Sequence, residues 1–127
     1  MAKILIVEDD DPQRKVLRIN FLQKGFSVLE AVDGLEGLKI ALQEHPDVIL
    51  LDIRMPKMDG ITMMHELRKD PWGENATIII LTNYDTNDTQ LLQITTDKPS
   101  YYLLKASSSL EHIFEKIQEA LKSKSVK

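Results

Sequence analysis

The 127-residue chain contains no cysteine. Disulfides, zinc–thiolate sites and thiol catalysis are therefore excluded. No apolar run is long enough to cross a bilayer. Met1-Ala2-Lys3 precedes only the apolar stretch Ile4 to Val7, too short for the hydrophobic region of a signal peptide. A cytoplasmic location is the expectation. Basic residues are not in excess: 16 Lys and Arg against 20 Asp and Glu give a net charge of -4, which argues against direct binding of nucleic acid. Internal repeats, linkers and low-complexity segments are also missing. What is present is 43% apolar and 28% charged residues, in a length that suits one compact domain.

Apolar runs that end abruptly in a polar residue organise the chain. Val48-Ile49-Leu50-Leu51 ends in Asp52, and the turn-forming stretch Ile53-Arg54-Met55-Pro56-Lys57-Met58-Asp59-Gly60 follows. Nothing in the run alternates, so it predicts a strand buried on both faces. Pro46 keeps a helix from running into it. Lys3-Ile4-Leu5-Ile6-Val7 has the same character and ends in Glu8, Asp9 and Asp10. Residues 76–81 end in Thr82, and residues 100–104 end in Lys105. A shorter, partly alternating segment over 26–31 reads as an edge strand.

Helical patterns separate these strands. Asp11-Pro12 opens the first, with an acid near the cap and proline in the first turn. Val16, Leu17, Ile19, Asn20, Phe21 and Leu22 supply its face, and Lys24-Gly25 closes it. After an Asp33-Gly34 turn, residues 35–44 place apolar side chains at 35, 38, 41 and 42 and stop at His45-Pro46-Asp47. Ile61, Met64 and Leu67 mark a helix over 61–69, and residues 70–75 a loop. Residues 83–98 are polar and threonine-rich, with Leu91, Leu92 and Ile94 as aliphatic anchors; they predict a short or loosely held helix. Ser107 to Ser109 cap a last helix with Leu110, Ile113, Phe114, Ile117 and Leu121 inward. Five alternations predict an α/β fold with a parallel sheet, right-handed crossovers and helices on both faces. The flavodoxin-like doubly wound order 2-1-3-4-5 is the natural fit.

In that order the first, third, fourth and fifth strands are neighbours. Glu8, Asp9, Asp52, Thr82 and Lys105 then converge on the carboxyl rim of the sheet, where ligands bind in open α/β folds. Clustered carboxylates raise one another's pKa unless a cation sits among them, and an all-oxygen site suits Mg2+. A carboxylate can attack phosphorus and form an acyl phosphate. The transferring group spreads negative charge over its oxygens and needs cationic support. Lys105 can supply a point charge to one oxygen, and the Thr82 hydroxyl can donate to another. Asp52 is therefore the candidate nucleophile.

Ile4 to Asp10, Asp47 to Gly60, Ile80-Leu81-Thr82 and Tyr102-Leu103-Leu104-Lys105 resemble the receiver domain of two-component response regulators. The Asp-x-x-Met-Pro-x-Met-Asp-Gly segment is the most specific part, and the match runs through nearly the whole chain. The resemblance implies a receiver domain over 1–122, with 123–127 a basic tail. It implies that Asp52 accepts a phosphoryl group from a histidine kinase or a His-containing phosphotransfer protein and that phosphate switches affinity for a downstream protein. It implies Mg2+ held by Asp9, Asp52 and the backbone carbonyl of Arg54, with Glu8 acting through water. Lys105 is implied on the phosphoryl oxygens, and Thr82 and Tyr102 as the switch, with Tyr101 competing for the aromatic role. The module is a phosphoacceptor with self-dephosphorylation rather than a turnover enzyme, and a homodimer through the fourth helix, fifth strand and fifth helix goes with it.

Two positions and one segment depart from the family pattern. A small residue usually follows the switch threonine, and Asn83 stands there; its bulk is expected to impede donor access or alter hydrolysis. The lysine is usually followed by a cis proline, and Ala106 stands there. A cis bond before alanine would cost about 3 kcal/mol, so either trans geometry or a strained loop is expected. Thr95-Thr96-Asp97-Lys98-Pro99 replaces the usual Gly-Ala approach to the fifth strand.

Other residues have plainer readings. Asp10 and Asp11 read as helix caps, the methionines at 55, 58, 63 and 64 as packing, and His45, His65 and His112 as surface residues. Trp72 fits either a core contact or a partner contact. Two competing functions are a Mg2+-dependent phosphohydrolase working through an aspartyl-phosphate and a degenerate receiver that serves only as an interaction module. The first typically uses a second Asp two residues after the nucleophile, where this chain has Arg54. No effector unit follows in the sequence, which reads as a stand-alone or an excised receiver.

Overall fold

The structure, a computed structural model, describes residues 2–125, and only the backbone of residues 124 and 125. In chain order the elements are β1 (Lys3–Val7), α1 (Asp11–Gln23), β2 (Ser27–Ala31), α2 (Gly34–Glu44), β3 (Val48–Leu51), α3 (Gly60–Arg68), β4 (Ile78–Thr82), α4 (Asp88–Asp97), β5 (Tyr101–Leu104) and α5 (Leu110–Ser125), with one-turn 3-10 helices at Gly73–Asn75 and Lys105–Ser107. The strands form one parallel sheet in the order β2-β1-β3-β4-β5. This is the doubly wound, flavodoxin-like α/β fold expected from the alternation of patterns. Strand starts differ from the expected ones by one or two residues, at β2, β4 and β5.

Each apolar run serves two cores, because successive strand residues point to opposite faces. Leu5, Val7, Ile49, Leu51, Ile78 and Ile80 face α2, α3 and α4, where Met63, Met64, Leu67 and Ile94 meet them. Ile4, Ile6, Val48, Leu50, Ile79 and Leu81 face α1 and α5, against Leu17, Phe21, Ile113 and Ile117. Fully burying one such side chain is worth about 1.5–3 kcal/mol, so β1, β3 and β4, covered on both sides, fix the frame. Met55, Met63 and Met64 are buried packing residues.

Helix starts are set by short polar side chains. Asp10, Asp33, Asp59 and Asn87 each accept a hydrogen bond from the amide three residues on, at 2.8–2.9 Å, a cap worth about 1 kcal/mol each. Ser109 Oγ caps α5 by accepting from the His112 amide.

Several expectations need correction. In α1 only Leu17 and Phe21 are buried, whereas Val16, Ile19 and Leu22 are exposed; one face of a helix meets a sheet, and positions four apart occupy it. Leu110 is exposed as well. The helix α4 takes the short alternative, ten residues at Asp88–Asp97, and both its ends are tied. Asn87 and Gln90 close a full capping box, and the Arg68 guanidinium donates to the carbonyls of Asp97 and Lys98 at its far end. Of the three aliphatic anchors Ile94 is buried, while Leu91 and Leu92 face outward. His65 is half-buried rather than a plain surface residue: its Nδ1 lies 3.3 Å from the buried Asp97 carboxylate. Trp72 packs on the core, and the His45 ring stacks on it at 4.4 Å. The helix α5 continues to Ser125; of the tail expected over 123–127, residues 126 and 127 lie outside the described residues. No helix among the described residues is long and apolar enough to cross a membrane.

Candidate functional site

Parallel register places the strand ends side by side. Val7 pairs with Leu51, so Glu8 and Asp52 leave the sheet together, and the Asp52 amide donates back to Val7 at 3.0 Å. Thr82 pairs with Leu104, which brings Lys105 alongside. The loop after Asp52 folds back hard onto α3. The Gly60 amide donates to the Ile53 carbonyl at 2.8 Å, and a Cβ on Gly60 would stand 2.1 Å from the Asp52 carbonyl oxygen. Only glycine tolerates that approach. Asp52 is thereby held at the rim and keeps 8% of its surface in solvent.

Glu8, Asp9 and Asp52 each offer a carboxylate oxygen, and these oxygens lie within 4.8 Å of one another. Glu8 and Asp52 are buried, while Asp9 is exposed. The Lys105 ammonium donates to Asp52 Oδ2 at 3.0 Å, to Glu8 Oε1 at 2.5 Å and to Gln13 Oε1 at 2.6 Å. Asp52 Oδ1 accepts from the Ile53 amide at 2.7 Å. Glu8 Oε2 accepts from the Asp10 amide, and Arg14 donates to the Glu8 carbonyl.

The electrostatics follow from this packing. Burial pushes the Glu8 carboxyl up, and the Lys105 and Asp10 hydrogen bonds only partly offset it, with the Asp52 charge adding to the rise. Burial alone would depress Lys105, but its bonds to Glu8 and Asp52 and their charges outweigh that and hold it above the ordinary lysine range. Lys105 is therefore charged at neutral pH.

Three carboxylates against one ammonium leave an excess of negative charge on hard oxygen donors. That donor set fits a divalent cation of the Mg2+ type. The other residues expected at the site lie on β4, on β5 and in the loop after β3. Thr82 is fully buried at the end of β4, and its Oγ1 accepts from the Tyr84 amide at 3.0 Å. Arg54 lies two residues beyond Asp52 and sets its guanidinium 5.0 Å over the Tyr84 ring. Tyr102 is half-buried on the Ile80 and Ile94 side of the sheet, whereas Tyr101 points to the opposite core, where Lys116 covers its ring. The described residues contain no cis peptide bond, so Ala106 takes the trans alternative.

Sequence reading missed two partnerships. Gln13 reaches Lys105 from the first turn of α1, and no spacing in the sequence marks it. Asn83 and Ala106, considered separately above, touch each other: Asn83 Oδ1 accepts from the Ala106 amide at 2.8 Å.

This acidic rim closes the carboxyl end of a doubly wound α/β sheet of order 2-1-3-4-5. The chain matches the response regulator receiver domain over residues 4–118 and belongs to that family. It is 31% identical over 120 residues to response regulator MprA of Mycobacterium leprae, covering 94% of this chain and 51% of that protein. It is 39% identical over 82 residues to the DNA-binding dual master transcriptional regulator RpaA of Synechocystis, covering 65% of this chain and 34% of that one. Among solved structures, chemotaxis protein CheY4 of Vibrio cholerae aligns at a TM-score of 0.84 and 27% identity, covering 94% of this chain and 98% of that one. A receiver domain from Clostridium thermocellum aligns at 0.87 and 26%, covering 99% and 98%. The chain spans about a third to a half of the length of these two curated relatives.

Proposed function

We propose that the chain is a phosphoryl-accepting switch in which Asp52 takes the phosphoryl group of a phosphohistidine. The donor is a histidine kinase or a His-containing phosphotransfer protein. The observation that carries this reading is the gathering of Glu8, Asp9 and Asp52 oxygens within 4.8 Å beside a lysine ammonium bonded to Asp52. A carboxylate oxygen of Asp52 attacks phosphorus. The new O–P bond forms as the P–N bond to the donor imidazole breaks, and the imidazole nitrogen leaves and takes up a proton from solvent.

Asp9, Asp52 and the Arg54 carbonyl would hold Mg2+, with Glu8 acting through water; when bound, that cation neutralises charge on the phosphoryl oxygens. The protein's own groups do the rest. The Ile53 amide orients Asp52 by its bond to Oδ1. Lys105 moves from carboxylate to phosphoryl oxygen over a short path, since it already touches Asp52. Thr82 exchanges its Tyr84 amide contact for a phosphoryl oxygen, and Tyr102, on the same face of the sheet, follows. A local charge change thus biases the β4–α4 loop.

The partners in this reading are the phosphohistidine donor and a downstream protein effector, with the α4, β5 and α5 face available for a homodimer and the cytoplasm as the setting. Hydrolysis of the aspartyl-phosphate returns the switch and is not multiple turnover of a substrate. The test is incubation with Mg2+ and a small phosphodonor such as phosphoramidate, followed by intact mass. A stable gain of one phosphoryl group that is absent in Asp52→Asn supports the reading. Fast release of phosphate from esters over many turnovers would assign a phosphohydrolase instead, and no modification would assign an interaction module.

A further inference from the structure

β4 and β5 stay in register up to the pair Thr82 and Leu104. Beyond it the backbone ladder stops, and both chains turn away from the sheet. The Asn83 side chain adds one more rung: its Oδ1 accepts the Ala106 amide hydrogen at 2.8 Å. The rung depends on both residue types. Alanine has an amide hydrogen where proline has none, and an aliphatic side chain at position 83 would offer no acceptor. The 3-10 turn Lys105–Ser107 is closed weakly by its own bond, from the Ser108 amide to the Lys105 carbonyl, which is long at 3.4 Å. The Asn83 bond is the shorter tie on this segment. Asn83 and Ala106 are both exposed, so the tie contributes little to the core.

We propose that Asn83 is a positioning residue for Lys105. Through the Ala106 amide it fixes the lysine backbone to the end of the Thr82 strand, and so sets where the ammonium stands relative to Asp52. The inference rests on the reading of Asp52 as the phosphoryl acceptor. A lysine reaches its target on a flexible stem, so its aim depends on how firmly its root is held. Because Asn83 follows Thr82 and Ala106 follows Lys105, the same rung joins the two groups that meet the phosphoryl oxygens into one mechanical unit. On this account Asn83 acts through its acceptor oxygen, and its bulk is incidental.

Three variants separate acceptor from bulk. Asn83→Leu keeps the size and loses the acceptor, Asn83→Ala loses both, and Ala106→Pro removes the donor and leaves Asn83 in place. Two quantities are read: the Mg2+-dependent dissociation constant for beryllofluoride by calorimetry, and the Lys105 ammonium signal in nitrogen-15-lysine-labelled, metal-free protein. The expected result is a displaced Lys105 signal in all three and beryllofluoride binding weaker by about threefold to tenfold in each, the size of one neutral hydrogen bond. An Asn83→Leu/Ala106→Pro double variant should be no weaker than either single one.

The proposal is overturned if Asn83→Leu and Ala106→Pro match the wild type, or if Asn83→Ala alone differs and takes up the anion more readily, which assigns bulk. If circular dichroism shows that Ala106→Pro does not fold, Asn83→Leu against Asn83→Ala carries the comparison. A wild type that binds no beryllofluoride would remove the Asp52 reading. The Lys105 signal then decides the positioning role alone: displaced in the variants it stands, unmoved it falls.

Discussion

Lys105 donates to Asp52 across 3.0 Å, although 53 residues separate them in the chain, and the same ammonium holds the buried Glu8. Removing it leaves two buried carboxylates facing each other without a counter-charge. Lys105→Ala should keep the fold and lose about 1–3 kcal/mol of stability, below the full cost of a deeply buried pair because the lysine side chain is 17% exposed. Added Mg2+ should restore more stability in the variant than it adds to the wild type, since a cation then takes over the ammonium's electrostatic task. Urea unfolding with and without Mg2+ measures both increments. Equal increments would mean that the ammonium and the metal do not share this charge.

Asp9 is the exposed member of the carboxylate set and makes the best entry point for a cation. A ligand that binds the folded state alone stabilises it by about 2.7 kcal/mol at a hundredfold excess over its dissociation constant. Asp9→Asn should lose most of that gain while unfolding in metal-free buffer much as the wild type does. Thermal melting over a Mg2+ series reads the difference. An undiminished gain in Asp9→Asn would place the cation elsewhere.

Gly60→Ala tests the loop that presents Asp52. In an ordinary helix position alanine is the better residue by about 1 kcal/mol. Here its Cβ would meet the Asp52 carbonyl oxygen at 2.1 Å, and the other nearby atoms are also backbone, so no side chain can yield. The expected outcome is a net loss of about 1–3 kcal/mol with slower phosphoryl uptake, because the acceptor itself is pushed. Stability equal to or above that of the wild type would show that the loop gives way freely.

The central strands were legible because runs buried on both faces carry no alternation, and Val48 to Leu51 and Ile4 to Val7 could hardly be read otherwise. The convergence of Glu8, Asp9, Asp52 and Lys105 was legible because each stands just beyond the end of an apolar run, so the strand order alone brings them together. The ties at the end of α4 were not. Its anchors are Arg68 on α3 and the buried Asp97, polar contacts that leave no periodic trace. Leu91 and Leu92 misled for the converse reason: periodicity identifies apolar positions but does not say whether anything covers them. Gln13 and the Asn83–Ala106 rung escaped because a side-chain amide that bridges distant segments has no spacing signature.

Arg68 explains how a polar, threonine-rich helix stays in place, and removing it should show this. Its guanidinium donates to the carbonyls of Asp97 at 2.7 Å, Lys98 at 3.0 Å, Gly73 at 2.9 Å and Ala76 at 2.6 Å. The group thereby ties the end of α4 to the segment that enters β4. Burial lowers its pKa, against the opposing pull of the Asp97 charge, yet arginine stays charged at any working pH. Arg68→Ala takes this donor from the Asp97, Lys98 and Ala76 carbonyls, while the Gly73 carbonyl keeps the Ala76 amide, at an expected cost of about 2–4 kcal/mol. Arg68→Lys should recover only part of this, because a single ammonium cannot span the fork. Hydrogen exchange should quicken at the last turn of α4 in both variants and stay unchanged in α1. If α4 exchanges as slowly in Arg68→Ala as in the wild type, the helix is held by Ile94 and its capping box, and the guanidinium is only a local bracket for the 3-10 turn at Gly73–Asn75.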